Sequence, residues 1–378
     1  MQHSQNCGIF IEAQHKGVRA AVVCNNQLQS FSYDNCNQSY PALDNIYFGR
    51  VISKSEAGYF VDIGTDSRPG LLPPEKGMPK LKVGVGVHVQ VIREPMADMA
   101  EASSLKPAKL SQHLTLTGKY CLLAPSRSMP ARLSRQARYL DIDLESLPSG
   151  TVVREAAAHA DLVQITKELE ELQSKFEAIM TDEPNKPKLI YRSLNAHERL
   201  VRDALPGDDI VVNTPSLAAE LKQLTKLDIH INKGNLFVEA GAEDIWAEMF
   251  TSVLPLKSGG HITIHETSAG CMIDVNQGSG KIIDANREAV LRAAEQIQLR
   301  GIAGNIAIDF IDVVSVNAKK DLHNQMVRAL GKHDNARILG WAPSGWLLLR
   351  RDRRRQSITD QLSNICPTCH GIGREFNE

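Results

Sequence analysis

Aromatic residues make up only 5% of the 378-residue chain, with three Trp, seven Tyr and nine Phe. Any ring that stacks on a ligand must therefore come from a short set of candidates. Net charge is almost absent, at −1 from 43 Lys and Arg against 44 Asp and Glu. No global field attracts a polyanion, and contact with nucleic acid has to rest on local basic patches. Cysteine is sparse and odd in number, seven in all, without the spacing of a disulfide framework. No apolar run reaches membrane-spanning length, and Met1-Gln2-His3-Ser4-Gln5-Asn6-Cys7 lacks the charged and apolar regions of a signal peptide. These absences point to a cytoplasmic setting with most thiols free and no membrane contact. What remains is globular: 42% hydrophobic and 23% charged residues, enough chain for two or three domains.

Residues 8–33 read as a hairpin turned at Asn25-Asn26. Residues 44–95 hold short apolar runs separated by Gly-containing turns, the signature of a five-stranded OB-type barrel. Such barrels bind single-stranded nucleic acid by stacking within a basic groove. Tyr47, Phe48, Tyr59 and Phe60 are candidate platforms, although strand aromatics are usually core. Residues 97–112 read as a loop whose cations, Lys106 and Lys109, can meet phosphates or simply be solvated. In 161–180, Leu162, Ile165, Leu169, Leu172, Phe176 and Ile179 form one apolar helical stripe. A Pro-containing linker, 181–187, stops it. Strand and helix then alternate through 188–250.

Residues 259–313 carry the chemistry. Asp274 and Asn276 are two apart on one apolar strand and so project to the same face. On the next strand Ile306, Ile308 and Phe310 face one way and Ala307, Asp309 and Ile311 the other. Asp312, three from Asp309, turns away unless the strand ends or bulges there. Carboxylates on buried-looking strands bind a cation or do acid–base work.

Toward the C-terminus, 350–355 places five arginines in six residues, either a polyanion contact or a solvated face. Cys366-Pro367-Thr368-Cys369 fits two thiolates on one zinc. A redox dithiol is the alternative, and free surface thiols are a third reading. Because one pair supplies half of a four-ligand site, its simplest completion is the same pair from a second chain.

Five collinear segments resemble the catalytic half of the ribonuclease E/G family. They are Asn45-Ile46-Tyr47-Phe48-Gly49-Arg50-Val51, Gly259-Gly260-His261-Ile262, Ile273-Asp274-Val275-Asn276-Gln277-Gly278, Ile306-Ala307-Ile308-Asp309-Phe310-Ile311-Asp312 and Cys366-Pro367-Thr368-Cys369-His370-Gly371. The resemblance implies an α/β and β multidomain chain. An RNase H-like domain (1–40 and 188–250) is interrupted by an OB-fold barrel (41–113) and a sensor-like subdomain (114–187). A DNase I-like catalytic subdomain (251–360) and a zinc-link tail (361–378) follow. It further implies Mg2+ held by Asp274 and Asp309 with Asn276 in support. Zn2+ at Cys366 and Cys369 would link a homodimer, and single-stranded RNA would meet Phe60 and Lys106. The expected activity is endonucleolytic hydrolysis leaving 5′-phosphate and 3′-hydroxyl ends.

The chain departs from that family pattern in several places. The family's 5′-monophosphate pocket uses a Gly-rich turn and an Arg-Thr pair. Here the turn reads Arg127-Ser128-Met129-Pro130-Ala131-Arg132, and the pair is Arg154-Glu155. A carboxylate beside a phosphate repels it, so 5′-end sensing is expected to be weak or absent. Leu71 replaces a second barrel aromatic, and Leu348 stands where an acidic residue is expected. The chain ends at Glu378, which suggests a short member without the small C-terminal domain, a dimer rather than a tetramer. A non-catalytic RNA-binding protein and a DNA-directed nuclease are the competing readings.

Overall fold

Cys7–Gln14 (β1), Gly17–Cys24 (β2) and Gln27–Asn35 (β3) are the opening strands. Asn25 and Asn26, between β2 and β3, have φ of 53° and 58°. That left-handed pair is what a two-residue hairpin turn requires, and asparagine tolerates it. The computed structural model describes residues 7–36, 40–66, 68–97, 105–125, 129–135, 137–267, 269–331, 335–363, 366 and 368. Two compact units divide the chain: Met1–Arg19, Asp34–Met96 and Leu105–Lys233 in one, Ala20–Tyr33, Ala97–Ser104 and Gly234–Glu378 in the other. Among the described residues no helix is long and apolar enough to cross a membrane. Cys36, Cys121 and Cys271 are free, while Cys7 and Cys24 are disulfide-bonded.

In the first unit the barrel strands are Ile46–Ser55 (β4), Gly58–Asp62 (β5), Gly70–Leu72 (β6) and Gly86–Arg93 (β7). Two-residue strands Met96–Ala97 (β8) and Leu105–Lys106 (β9) precede Lys109–Ser111 (β10). The order β4-β5-β6-β10-β7, with β7 pairing back onto β4, closes a five-stranded OB-like barrel. Tyr47, Val51, Tyr59, Val61, Leu72, Val89, Val91 and Leu110 fill it. The sequence reading of 97–112 as a loop is corrected here, because β10 is the strand that completes the barrel. Three residues are too few to display a period of two.

The second sheet of this unit contains Leu116–Thr117 (β11), Cys121–Leu123 (β12), Arg132–Leu133 (β13) and Thr151–Val153 (β14), in the order β11-β12-β14-β13. Helix Leu162–Thr181 (α1) lays Ile165, Leu169, Leu172 and Ile179 against it. Leu162, expected in that stripe, is the first residue of the helix and is exposed. Lys188–Tyr191 (β15) pairs with β4. Ala196–Asp203 (α2), Asp209–Val212 (β16), Pro215–Leu221 (α3) and Ile229–Ile231 (β17) complete the unit. Strand β16 is parallel to both β1 and β17.

The second unit contains Leu236–Glu239 (α4), Glu243–Glu248 (α5), Val253–Pro255 (β18), His261–Glu266 (β19) and Cys271–Asn276 (β20). Ile282–Leu299 (α6), Gly304–Asp309 (β21), Val316–Leu330 (α7), Ala336–Trp341 (β22), Leu347–Arg351 (β23) and Ile358–Leu362 (α8) follow. Its sheet runs β18-β19-β20-β21-β23-β22. One face is apolar: Ile262, Ile264, Ile273, Val275, Ile306, Ile308, Leu347 and Leu349 pack with Ala289, Val290, Ala293 and Ile297 of α6 and Leu322 and Met326 of α7. Strand alternation therefore sends the even-numbered residues of β20 and the odd-numbered residues of β21 to the opposite face.

Candidate active site

Asp274 and Asp309 are Cα register partners on the parallel strands β20 and β21. The preceding pair, Ile273 and Ile308, is buried in the core, so both carboxylates leave the sheet on the other side. Asp274 is exposed and Asp309 half-buried. Like charges directly opposite one another destabilise a sheet. Among the described residues neither carboxylate has a cationic side-chain partner within salt-bridge distance. Asn276, on the same face as Asp274, donates from Nδ2 to Asp274 Oδ2 at 2.8 Å. That bond fixes one carboxylate oxygen and leaves the other free to ligate.

The turns that carry these residues are tightly built. A Cβ at Gly260 would lie 2.1 Å from the Asn276 carbonyl oxygen, and one at Gly278 would lie 1.8 Å from the Gly259 carbonyl oxygen. Only glycine permits that approach, which sets the end of β20 against the turn at 259–260. Past Asp309 the chain is held by a residue that the sequence did not single out. Asn286 of α6, 4% exposed, donates from Nδ2 to the Ile311 carbonyl at 2.8 Å. Its Oδ1 accepts from Ile311 N at 3.0 Å. Strand β21 ends at Asp309, and Asp312 takes φ of 40° in the turn beyond. Because the strand ends before Asp312, strand parity does not govern where that carboxylate points.

The donor set suits a hard, oxygen-seeking cation in part. Two adjacent carboxylates with an orienting amide match magnesium, which takes one or two carboxylates and keeps several waters. No cluster of three or more His, Cys, Asp or Glu able to hold a metal occurs among the described residues. Leu348 lies on the carboxylate face as the register partner of Ala307, so no acidic group stands at that position. Cys271, at the start of β20, is a core group. Burial above all, with Glu266 adding to it, pushes its thiol up to about 12, which makes it inert as a nucleophile.

On the barrel of the first unit the pairings put Phe60, Leu71, Lys109 and Arg93 in one row. Phe60 is opposite Leu71, Leu71 opposite Lys109, and Lys109 opposite Arg93. Phe60 is half-buried, whereas Tyr47, Phe48 and Tyr59 are core. Of the four candidate platforms, Phe60 alone is outside the core. Arg93 was missed in the sequence because nothing there marks the end of β7 as a neighbour of β10. Lys106 is exposed on β9.

Arg154 is committed elsewhere. Its Nη1 and Nη2 donate to Asp203 Oδ1 and Oδ2, each at 2.9 Å. Nη1 also reaches the carbonyls of Gly118 at 2.5 Å and Lys119 at 3.0 Å. Asp203 accepts a second fork from Arg202, at 2.8 and 2.9 Å. Burial opposes ionisation of Asp203, but the hydrogen bonds from the two arginines outweigh it and hold the carboxyl below its ordinary range. Glu155 is exposed beside Arg154. Arg127 and Ser128 lie outside the described residues. So does Cys369, while Cys366 is exposed.

The family model described as the Ribonuclease E/G family matches residues 115–354, more than half of the chain and inclusive of both carboxylates. Ribonuclease E of Nostoc sp. is 28% identical over 97% of this chain and 58% of its own length. Ribonuclease E of Buchnera aphidicola is 26% identical over 95% of this chain and 42% of its own. Ribonuclease G of Escherichia coli K12 is 26% identical, over 87% of this chain and 76% of its own length. The chain thus spans about half the length of the ribonuclease E relatives. Family model, relatives and motif order agree, and the chain belongs to the ribonuclease E/G family.

Proposed function

We propose that this chain is a magnesium-dependent endoribonuclease. It hydrolyses single-stranded RNA to 5′-phosphate and 3′-hydroxyl ends, in RNA processing or turnover. The observation that carries the reading is the in-register pair Asp274–Asp309 with Asn276 bonded to the first. Asp274 and Asp309 hold the cation. When bound, magnesium supplies positive charge against the scissile phosphodiester and acidifies the attacking water. Asn276 keeps the Asp274 carboxylate in one orientation. Asn286, through Ile311, fixes the chain just beyond Asp309. Because these groups sit on strands and a helix rather than on loops, the carboxylates need little rearrangement on binding substrate.

Phe60 stacks a base on the barrel, and Lys106, Lys109 and Arg93 meet phosphates. In the family's terms, residues 1–40 and 188–250 form the RNase H-like part and residues 251–360 the DNase I-like part. Arg154 serves as a structural clamp on Asp203 rather than a receptor for the 5′-monophosphate. Cys366 and Cys369 hold zinc across a homodimer. A non-catalytic RNA-binding role is the second reading, favoured by Leu348 at a position on the carboxylate face where an acid was expected.

Incubation of unstructured RNA with the protein, with and without magnesium, tests the reading. Internal cleavage that requires the metal and leaves 5′ ends sensitive to phosphatase is expected. Binding without cleavage would leave the second reading standing instead, and cleavage of DNA but not RNA would overturn both.

A further inference from the structure

The arginine run at 350–355 does not act as one patch. Arg351 Nη1 donates to the Ile302 carbonyl at 3.0 Å and Arg353 Nη2 to the Ala303 carbonyl at 3.1 Å. These two hold the chain at the start of β21. Arg350 is different. It is exposed on β23, and its register partner on the edge strand β22 is Arg337, also exposed. Among the described residues neither guanidinium has a carboxylate partner or a hydrogen bond. Two like charges directly opposite on neighbouring strands repel, and no described residue forms an ion pair that offsets them.

The pair lies on the same face as the carboxylates. On β21, Arg350 is opposite Asn305 and Leu348 is opposite Ala307. Asn305, Ala307 and Asp309 alternate onto one side of that strand. From Asn305 to Asp309 is four residues, roughly 13 Å along the strand. Between the two charged ends lie Ala307, its partner Leu348, and Met272 on the other flank. Met272 is 38% exposed. The open face therefore runs from an unbalanced dication, over a short apolar floor, to an unbalanced dianion. A cation suits the dianion, and an anion at fixed reach from it suits the dication.

We propose that Arg337 and Arg350 form a phosphate subsite for single-stranded RNA, a few nucleotides from the bond presented to Asp274 and Asp309. This rests on the reading of that pair as the cleavage site. Paired guanidiniums match the oxygens of a phosphodiester, and the apolar floor lets the intervening backbone cross without a competing charge. The groups touch substrate away from the reacting atoms, so they act by positioning and by uniform binding.

The test uses the full chain in an Asp274→Asn background, with binding of a short unstructured 5′-hydroxyl oligoribonucleotide followed across a salt series. Each lost phosphate contact lowers the slope of log affinity against log salt by ~0.7 for a single strand. The double variant Arg337→Gln/Arg350→Gln should lose ~0.7–1.4 of that slope, while Arg337→Lys/Arg350→Lys should keep it. With Asp274 restored, KM should rise several-fold with kcat little changed. Melting temperature should hold or rise, since a repulsion is removed, and this separates a binding role from a structural one. An unchanged salt slope in the Gln variant overturns the proposal, whether because RNA does not reach this face or because the pair receives an acidic protein instead. A reduced slope without any cleavage by the wild-type chain supports the subsite and refutes the cleavage reading alone.

Discussion

Asp274 and Asp309 stand side by side, Cα partners on adjacent parallel strands, with Asn276 bonded to the first carboxylate at 2.8 Å. Orienting partners of this kind typically change metal affinity or activity by 10–100-fold. Asn276→Ala is expected to reduce magnesium-dependent cleavage by about 10–100-fold and to raise the magnesium concentration needed for half-maximal rate. A magnesium titration of both proteins checks this. A shift in rate with no shift in metal requirement would remove Asn276 from the support of the metal.

Asn286 closes both hydrogen bonds of the Ile311 backbone. Removing a buried partner leaves the other group unsatisfied, at a cost of about 1–3 kcal/mol. Asn286→Ala should therefore lower stability by about that amount in denaturant melts, and should slow cleavage beyond what the fraction unfolded explains. Asn286→Asp tests the geometry separately, because it retains the acceptor for Ile311 N and loses the donor.

How far the sequence foretold this site depends on the range of each interaction. The shared face of Asp274 and Asn276 follows from a period of two on a single strand, whereas the ending of β21 at Asp309 is set by the turn beyond it and was open in the sequence. Asn286 was silent because an asparagine within an amphipathic helix looks like any polar position until the neighbouring turn is known. Arg337 and Arg350 needed the register between two strands. The barrel strand β10 was read as a loop for want of length. Arg154 drew notice in the sequence as half of the expected phosphate-binding pair, but its partner is 49 residues away, and nothing local shows that Asp203 takes up its guanidinium.

That clamp gives a pH prediction. The carboxyl of Asp203 is held below its ordinary value of 3.8. A depressed carboxyl stabilises the fold fully above that ordinary value, and the contribution is lost as pH falls through the depressed one. Arg154→Gln should lower stability at pH 7, with a smaller loss than a fully buried ion pair would show because both side chains are about 30% exposed. It should also flatten the fall in melting temperature below about pH 4. The same variant should leave the cleavage ratio of 5′-monophosphate to 5′-hydroxyl RNA unchanged. A marked loss of preference for the monophosphate would show that Arg154 does read the 5′ end.

The barrel row offers a gain-of-function prediction. Base stacking on an aromatic ring contributes about 1–3 kcal/mol per base. Phe60→Ala should weaken RNA binding by up to that amount. Leu71→Phe, which places a second ring beside Phe60, should strengthen it. Oligonucleotide titrations of both variants check the pair, and equal affinities across all three proteins would take the RNA away from this face.

The zinc link is tested by metal content and mass. One zinc ion per two chains is expected, with loss of the dimer when Cys366 is changed to Ser or when a chelator is added. A dimer that survives with no zinc bound would refute the link.

The carboxylate pair is tested most directly by the rate of internal cleavage of a single-stranded RNA at saturating magnesium, compared between the wild type and Asp274→Asn, with binding of the same RNA measured alongside. Cleavage by the wild type, lost by more than about 100-fold in the variant while binding is retained, is the expected result. Equal cleavage by the two proteins, or none by either, would contradict the assignment of Asp274 and Asp309 as the cleavage site.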